Sequence, residues 1–325
     1  MKTLELVIEL GSSNTVIYKM GNGIVLREPS LVAIKDGKII EVGLKAKKLS
    51  GKTDENVSIV SPIDKGVIVN EQLCGKMLSA FLDKIFDYVF PKSFNILFCV
   101  QNGLNEQELL SYKNVAYCTN AKAVDFINVC KAGAYSNGYD SKNPHATIAV
   151  NIGGGTVNIA VVSIGEVIDG FSIGFGGNDM DSAIKNYVEL VYGHNISLTS
   201  AEKLKNQCGS LYVQDTTNLE VSGIDVISKR PQVEIINAND VLNSVEHYFN
   251  NIAISIEQIL HICSPDIIAD ITENGIIVFG GVANMVGLED YLSKKLNLKV
   301  KVLDQPENST VLGGALMLSQ NTESI

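Results

Sequence analysis

The feature that most constrains the fold is a short pattern that occurs twice, near the start and near the middle of the chain. Residues 8–15 read IELGSSNT and residues 150–157 read VNIGGGTV. Each copy combines an apolar strand, one polar residue, one apolar residue, a turn of glycine and small polar residues, and a second strand. A repeated supersecondary unit of this kind predicts an internal duplication, with two similar lobes that face each other across a cleft.

The two turns have the composition of a phosphate-binding site. A glycine-rich turn presents several backbone N–H groups in one direction, and glycine allows a ligand to approach closely. One such turn is equally well explained as an ordinary hairpin, but Gly280 and Gly281 form a third turn after another apolar strand. We therefore expect the first two turns to clamp the phosphates of one nucleotide, with the third turn at the nucleoside.

A magnesium ion is expected with such a nucleotide, bridging phosphate oxygens and keeping most of its waters. Glu9 and Asn151 lie two residues before the glycines of the first two turns. They are the candidates for orienting those waters, so any contact with the metal would be indirect.

Composition limits the class of protein. The chain has 325 residues, which favours two lobes over a single core. Apolar residues make up 46% of it, and strand-like segments alternate with helix-like ones, which predicts an α/β fold. A net charge of −10 argues against a general nucleic-acid binder. No apolar run reaches the roughly 20 residues that span a bilayer, and the scattered cysteines favour a reducing cytoplasm.

Nine segments share one order and spacing with a known family: residues 9–15, 24–30, 62, 66–68, 151–156, 174–181, 199–205, 280–281 and 287–288. Through them the chain resembles the MreB family of bacterial actin-like cell-shape proteins from residue 4 to about 318. The glycine-rich hairpins are shared with Hsp70-type ATPases and sugar kinases, whereas residues 23–30 (GIVLREPS) and 199–205 (TSAEKLK) are more specific.

The resemblance implies an actin-like fold of two lobes around a nucleotide cleft. Residues 1–144 would form lobe I, with a small subdomain at about 30–65 and a C-terminal helix at about 310–325 that packs back on it. Residues 145–309 would form lobe II, with a small subdomain at about 183–240. The cofactor would be ATP or ADP with Mg²⁺.

The same resemblance assigns the binding residues by position. Ser12 to Asn14 and Gly153 to Thr156 are the phosphate loops, Glu202 and Lys205 lie near the ribose and base, and Gly280 to Ala283 form the adenosine loop. The full set is Ser12, Ser13, Asn14, Gly153, Gly154, Gly155, Thr156, Glu202, Lys205, Gly280, Gly281, Val282 and Ala283.

The sequence departs from the family where the chemistry would occur. Glu9 and Asn151 stand where the family usually has aspartate, and Val129, or Asn128 one step away, stands at its water-positioning glutamate. A longer carboxylate, a neutral amide and a valine are poor substitutes there. We expect an ATPase at most, with weak hydrolysis, because losing a positioned base costs about 10²–10⁴ in rate. Compensation by neighbouring residues is the alternative.

The implied function is a filament that positions cell-wall synthesis, cytoplasmic and peripheral at the inner membrane. Val89 and Phe90 match a short apolar loop that touches lipid, and Lys92 would meet anionic headgroups; alternatively, Phe90 packs beneath its own loop. The implied partners are other copies of the chain, the membrane surface, and wall-synthesis or other actin-like proteins.

Two other functions fit the same superfamily. A small-molecule kinase would need a carboxylate base in the cleft, for which Asp179 and Asp181 are available. A non-polymerising regulator of other actin-like filaments would keep the nucleotide site and lose assembly. An Hsp70-type chaperone would need a substrate-binding domain as well.

Overall fold

Strands and helices alternate along the chain in a computed structural model, which describes residues 4–52, 56–86 and 93–323, the last three by their backbone alone. The strands are β1 Leu4–Leu10, β2 Asn14–Lys19, β3 Gly23–Pro29, β4 Val32–Lys35, β5 Lys38–Val42, β6 Val57–Val60, β7 Ile63–Asp64, β8 Val67–Ile68, β9 Phe94–Val100, β10 Ala123–Asn128, β11 Ala146–Ile152, β12 Val157–Ser163, β13 Glu166–Ile173, β14 His194–Asn195, β15 Asn218–Asp225, β16 Pro231–Asn237, β17 Ile276–Phe279 and β18 Val300–Val302. The α-helices are α1 Leu44–Leu49, α2 Glu71–Phe86, α3 Glu106–Tyr117, α4 Val129–Ser136, α5 Gly177–Tyr192, α6 Leu198–Cys208, α7 Ala238–His261, α8 Pro265–Asn274, α9 Leu288–Leu296 and α10 Ser309–Glu323.

Two five-stranded sheets repeat one topology. Their orders are β3-β2-β1-β9-β10 and β13-β12-β11-β17-β18. In each, the central strand pairs antiparallel with the strand that follows it in the chain and parallel with a later one. Glu9 opposes Cys99 of the parallel neighbour, and Asn151 opposes Phe279 in the same way. The duplicated sequence pattern is therefore the centre of each sheet, and Glu9 and Asn151 hold equivalent positions.

Smaller sheets extend each half. The first small sheet, β5-β4-β6, carries α1, and the second small sheet, β14-β15-β16, packs beside α6. These modules are inserted between elements of the large sheets, and α1 and α6 meet through Lys47 and Glu202.

The core has three parts because the central strands bury both faces. Alternate residues of a strand point to opposite sides, so Ile8 packs with α2 and α3, whereas Val7 packs with α4 and α10. Similarly, Val150 joins the core under α7, and Ala149 joins the cluster that contains α4. The helices α4 and α10 thus fill the space between the two sheets and hold the lobes together.

Close packing of α4 and α10 depends on glycine. A Cβ on Gly313 would overlap the carbonyl oxygen of Ala132, and a Cβ on Gly133 would overlap the ring of Phe279. Both glycines therefore let the helix pair approach its neighbours more closely than any other residue would. The first residue of α4, Val129, lies at the cleft between the lobes.

Candidate functional site

The two repeated turns close in the same way. Gly11 N–H donates to the Asn14 carbonyl at 3.1 Å, and Gly153 N–H donates to the Thr156 carbonyl at 2.9 Å. Each turn therefore begins with a glycine bonded to the residue three positions on. The predicted duplication is confirmed at the level of individual hydrogen bonds.

Most of the amides within these turns have no protein partner. No described residue accepts a hydrogen bond from the backbone N–H of Ser12, Ser13, Gly154, Gly155 or Thr156. Unpaired, half-buried N–H groups are costly and call for water or an anion. The sequence expectation that these loops present amides to a ligand is consistent with this arrangement.

The two loops are in direct contact. A Cβ on Gly154 would overlap Ser13 Oγ, and one on Gly155 would lie 2.5 Å from Ser12 Oγ. Ser13 Oγ also donates to Asn178 Oδ1 at 2.6 Å, which ties the first loop to α5 of the opposite half. The loops line one cavity of about 800 Å³, a volume that includes its open mouth.

The third glycine turn completes one wall of this cavity. Gly280 has φ of +95°, and a Cβ there would meet Asn151 Oδ1 at 2.5 Å, so only glycine suits both its conformation and its neighbours. Gly281 and Val282 line the cavity in a 3-10 helix, Gly281–Asn284. Ala283 is buried beneath the turn and does not line the cavity.

Helix α6 supplies the opposite wall with Glu202 and Lys205. Lys205 Nζ lies 2.7 Å from Asp181 Oδ1 and donates to the Gly177 carbonyl at 2.7 Å. Burial raises the pKa of Asp181, and the neighbouring Lys205 ammonium opposes that shift. Lys205 thus lines the cavity while joining α6 to the start of α5.

A separate chamber lies behind the phosphate loops. Glu9 is half-buried at its edge, with Arg27 and Thr310 as neighbours on the side of the main cavity. Burial raises the pKa of Glu9 from 4.5 to about 7 despite the opposing Arg27 charge. Asn151 is almost fully buried on the equivalent strand. Both residues line the cavity and the chamber.

The chain is similar to known proteins in sequence and in fold. A family model described as MreB/Mbl protein matches residues 3–325. The cell shape-determining protein MreB of Escherichia coli (strain K12) is 32% identical over 322 residues, covering 97% of this chain and 93% of that protein. The cell shape-determining protein Mbl of Bacillus subtilis (strain 168) is 31% identical over 316 residues, with 96% and 94% covered.

This chain belongs to the MreB/Mbl family. Solved structures agree: MreB5 of Spiroplasma citri bound to ADP superposes with a TM-score of 0.93 at 27% identity, covering 100% of this chain and 99% of that one. The same protein bound to AMPPNP gives 0.91. A MamK double helical filament, at 19% identity and a TM-score of 0.81, shares the fold. The predicted actin-like fold is confirmed.

The start of α4 shows which residue of this MreB/Mbl protein faces the chamber. Val129 lines it, with 5% of its surface exposed. Asn128 instead caps the helix, since its Oδ1 accepts from Cys130 N–H at 2.8 Å and Lys131 N–H at 3.3 Å, and its amide donates to Asn102. Of the residues that line the chamber, all of them described, Glu9 alone is a carboxylate.

A buried asparagine pair joins the lobes beside this chamber, and sequence reasoning missed it. Asn102, at the end of β9, donates its amide to the carbonyls of Ile159 and Phe171 at 3.3 and 3.1 Å. Its backbone N–H donates to Asn158 Oδ1, and Asn158 in turn donates to Thr156 Oγ1 of the second phosphate loop. A lone Asn in a turn carries no sequence signal for such a contact.

The predicted membrane loop, Val89, Phe90 and Lys92, lies outside the described residues. In the part of the chain that is described, no helix combines the length and apolar character required to cross a membrane.

Proposed function

We propose that this chain is a nucleotide-binding, filament-forming cell-shape protein in which ATP hydrolysis is slow. The observation that carries the nucleotide site is the set of unpaired amides on two touching loops, two amides from one lobe and three from the other. Ser12, Ser13 and Gly154 line the cavity, and Gly155 and Thr156 line the chamber behind it. A triphosphate offers enough acceptor oxygens for both loops, so the ligand would join the lobes. The ADP and AMPPNP bound by MreB5 support this choice of ligand.

The remaining walls fit the other parts of a nucleotide. Gly281 and Val282 border an open pocket next to α6, which Met285 and Asn206 also line and which leaves room for a flat base. Glu202 and Lys205, on α6, line the same cavity and would contact the ribose and base. Asn14 lines the cavity beside the first loop, and Ala283 supports the third turn from beneath.

The oxygen donors suit a hydrated magnesium ion better than one bound directly by the protein. Within the described residues, no group of three or more His, Cys, Asp and Glu side chains is placed to hold a metal. Glu9 and Asn151 would hold two of the waters of an ion whose main ligands are phosphate oxygens. When bound, that ion neutralises charge on the phosphates.

Slow hydrolysis follows from the wall of the rear chamber. Val129 cannot accept a proton or orient a water, and Asn128 is already committed to capping α4. Glu9 is the remaining carboxylate, and it lies on a strand end with its pKa raised by burial. A phosphate-release assay at saturating ATP and Mg²⁺ tests this; turnover equal to that of the E. coli relative would contradict it.

Assembly and location are tested together by sedimentation and electron microscopy with ATP and Mg²⁺, with and without anionic lipid vesicles. We expect filaments, and vesicle binding that weakens in a Phe90→Ser variant, since an apolar side chain would be lost from the proposed membrane loop. A protein that stays small under all conditions would contradict assembly and favour the regulator. Partners in wall synthesis would be sought only after filaments are seen.

The structure argues against a small-molecule kinase, because both carboxylates considered as its base have structural partners. Asp181 is paired with Lys205 at 2.7 Å, and Asp179 accepts a hydrogen bond from Gly176 N–H at 2.8 Å at the start of α5. A general base must reach the proton it abstracts, and both carboxylates already serve local structure.

A further inference from the structure

One ion pair spans the mouth of the cleft. Lys47, on α1 of the first small sheet, places Nζ 2.6 Å from Glu202 Oε2, on α6 of the opposite half. The two side chains are 32% and 35% exposed, so the pair is only partly shielded from solvent. Lys45, two residues away on the same helix, is 70% exposed and reaches only Glu41 of its own module, at 3.9 Å.

The carboxylate that Lys47 holds also lines the nucleotide cavity. Oε2 of Glu202 is engaged by Lys47, whereas no described residue donates a hydrogen bond to Oε1. A glutamate side chain is flexible, and fixing it before the ligand arrives removes an ordering cost from binding. Lys47 therefore leaves one carboxylate oxygen in place as an acceptor.

We propose that Lys47 is a positioning residue that fixes Glu202 over the cleft, so that the free carboxylate oxygen accepts hydrogen bonds from ribose hydroxyls. The inference rests on the proposed nucleotide site and adds two properties to it. Lys47 makes the chain select nucleotides with a hydroxylated ribose, and nucleotide release requires the Lys47–Glu202 pair to open.

The expected effect of the Lys47–Glu202 pair on nucleotide affinity is modest. The pair is about one-third exposed, so solvent screens it partly and salt weakens it. Immobilising one long side chain corresponds to a change in affinity of roughly two- to tenfold. We expect an effect in that range on ribonucleotide binding.

Calorimetric titration of the full chain with Mg²⁺ and either ATP or 2′,3′-dideoxyATP measures the selection directly. The variants are Lys47→Met, Lys47→Arg as the conservative rescue, and Lys45→Met as the matched control. We expect Lys47→Met to lose affinity for ATP by roughly two- to tenfold while its affinity for dideoxyATP barely changes. Lys47→Arg should restore the preference, and Lys45→Met should match the parent.

Release is measured in stopped flow with ethenoadenosine triphosphate, whose label leaves the ribose free. The parent should release faster as salt rises from 0.05 to about 0.5 M, and Lys47→Met should be fast and nearly insensitive to salt. Equal losses for ATP and dideoxyATP, or a Lys47→Met variant that matches Lys45→Met, would overturn the inference and leave the nucleotide site intact. A parent that binds neither nucleotide would overturn the proposed function itself.

Discussion

Val129 is the residue with the largest expected effect on chemistry. It closes the rear chamber with a hydrocarbon side chain at the start of α4, in the position where the family resemblance places a glutamate. The backbone around it is undisturbed, since Asn128 caps the helix normally. A change of side chain alone is therefore expected to alter hydrolysis.

A Val129→Glu variant should hydrolyse ATP at least about tenfold faster than the parent, because a positioned carboxylate contributes about 10²–10⁴ in rate when well aligned. Phosphate release at saturating ATP is the measurement. Val129→Gln is the matched control, with the same length and no charge. Equal rates for the two variants would show that the missing carboxylate does not limit turnover.

Glu9 should make stability depend on pH. Its pKa is raised from 4.5 to about 7 in the folded chain, mainly by burial. Between those values the unfolded state loses its proton first, so this group lowers the free energy of unfolding as pH rises through that window. Full ionisation costs on the order of 3 kcal/mol.

A Glu9→Gln variant removes this contribution of Glu9 ionisation to the pH dependence of stability. The free energy of unfolding is measured with denaturant, with metal chelated and no nucleotide. Between pH 5 and pH 8 its value for the variant should rise relative to that of the parent by up to about 3 kcal/mol. A difference between the two proteins that stays constant across this range would contradict the raised pKa.

The sequence predicts which residues come together more readily than it predicts their long-range contacts. Ser12, Gly153 and Gly281 each belong to a local pattern at a strand end, and the three line one cavity. The links from Lys205 to Asp181 and from Glu202 to Lys47 join distant parts of the chain. No local pattern encodes such pairs, so only the folded structure reveals them.

At the scale of elements, the contact between the phosphate loops is the most sensitive feature. The loops approach so closely that a methyl group on Gly154 would overlap Ser13. A Gly154→Ala variant should therefore force the loops apart and lower ATP affinity by roughly tenfold or more, measured by calorimetry. Adding Ser13→Gly should recover part of the loss. If Gly154→Ala alone binds ATP with the affinity of the parent, the two loops do not act together.

The packing of α10 on α4 makes a separate prediction. Gly313→Ala places a methyl group against the Ala132 carbonyl and should lower the free energy of unfolding by about 3 kcal/mol, the upper range of overpacking effects. Gly281→Ala is the control, since a Cβ there meets no atom within 4 Å. The two variants are compared by chemical denaturation without nucleotide. Equal denaturation midpoints would contradict the close approach of α10 to α4.

Local sequence predicts an element where it is periodic or contains residues typical of turns and caps. Asp36-Gly37 is a hairpin turn signal, and it joins β4 to β5; Asn237 suits a helix N-cap, and it caps α7. The segment from Gln72 repeats apolar residues at helical spacing, and it forms α2, which is described to Phe86. The β15–β16 hairpin was not predicted, because its strands expose mixed polar and apolar residues on one face and give no clean alternation.

For the whole molecule, the duplication explains why a ligand would matter to both lobes. In each large sheet, one phosphate loop follows the central strand. The two lobes contact each other through α4, α10, the asparagine pair and the phosphate loops. A ligand held by both loops stabilises the arrangement in which they face each other. The two similar lobes followed from the repeat, whereas the contact between α1 and α6 at the mouth did not.

The most direct test of the central claim is a crystal structure of the chain with a non-hydrolysable ATP analogue and Mg²⁺. The account predicts that amides of residues 12–13 and of residues 154–156 contact phosphates of the same nucleotide. A nucleotide bound by only one of the two loops, or in a different cavity, would contradict it.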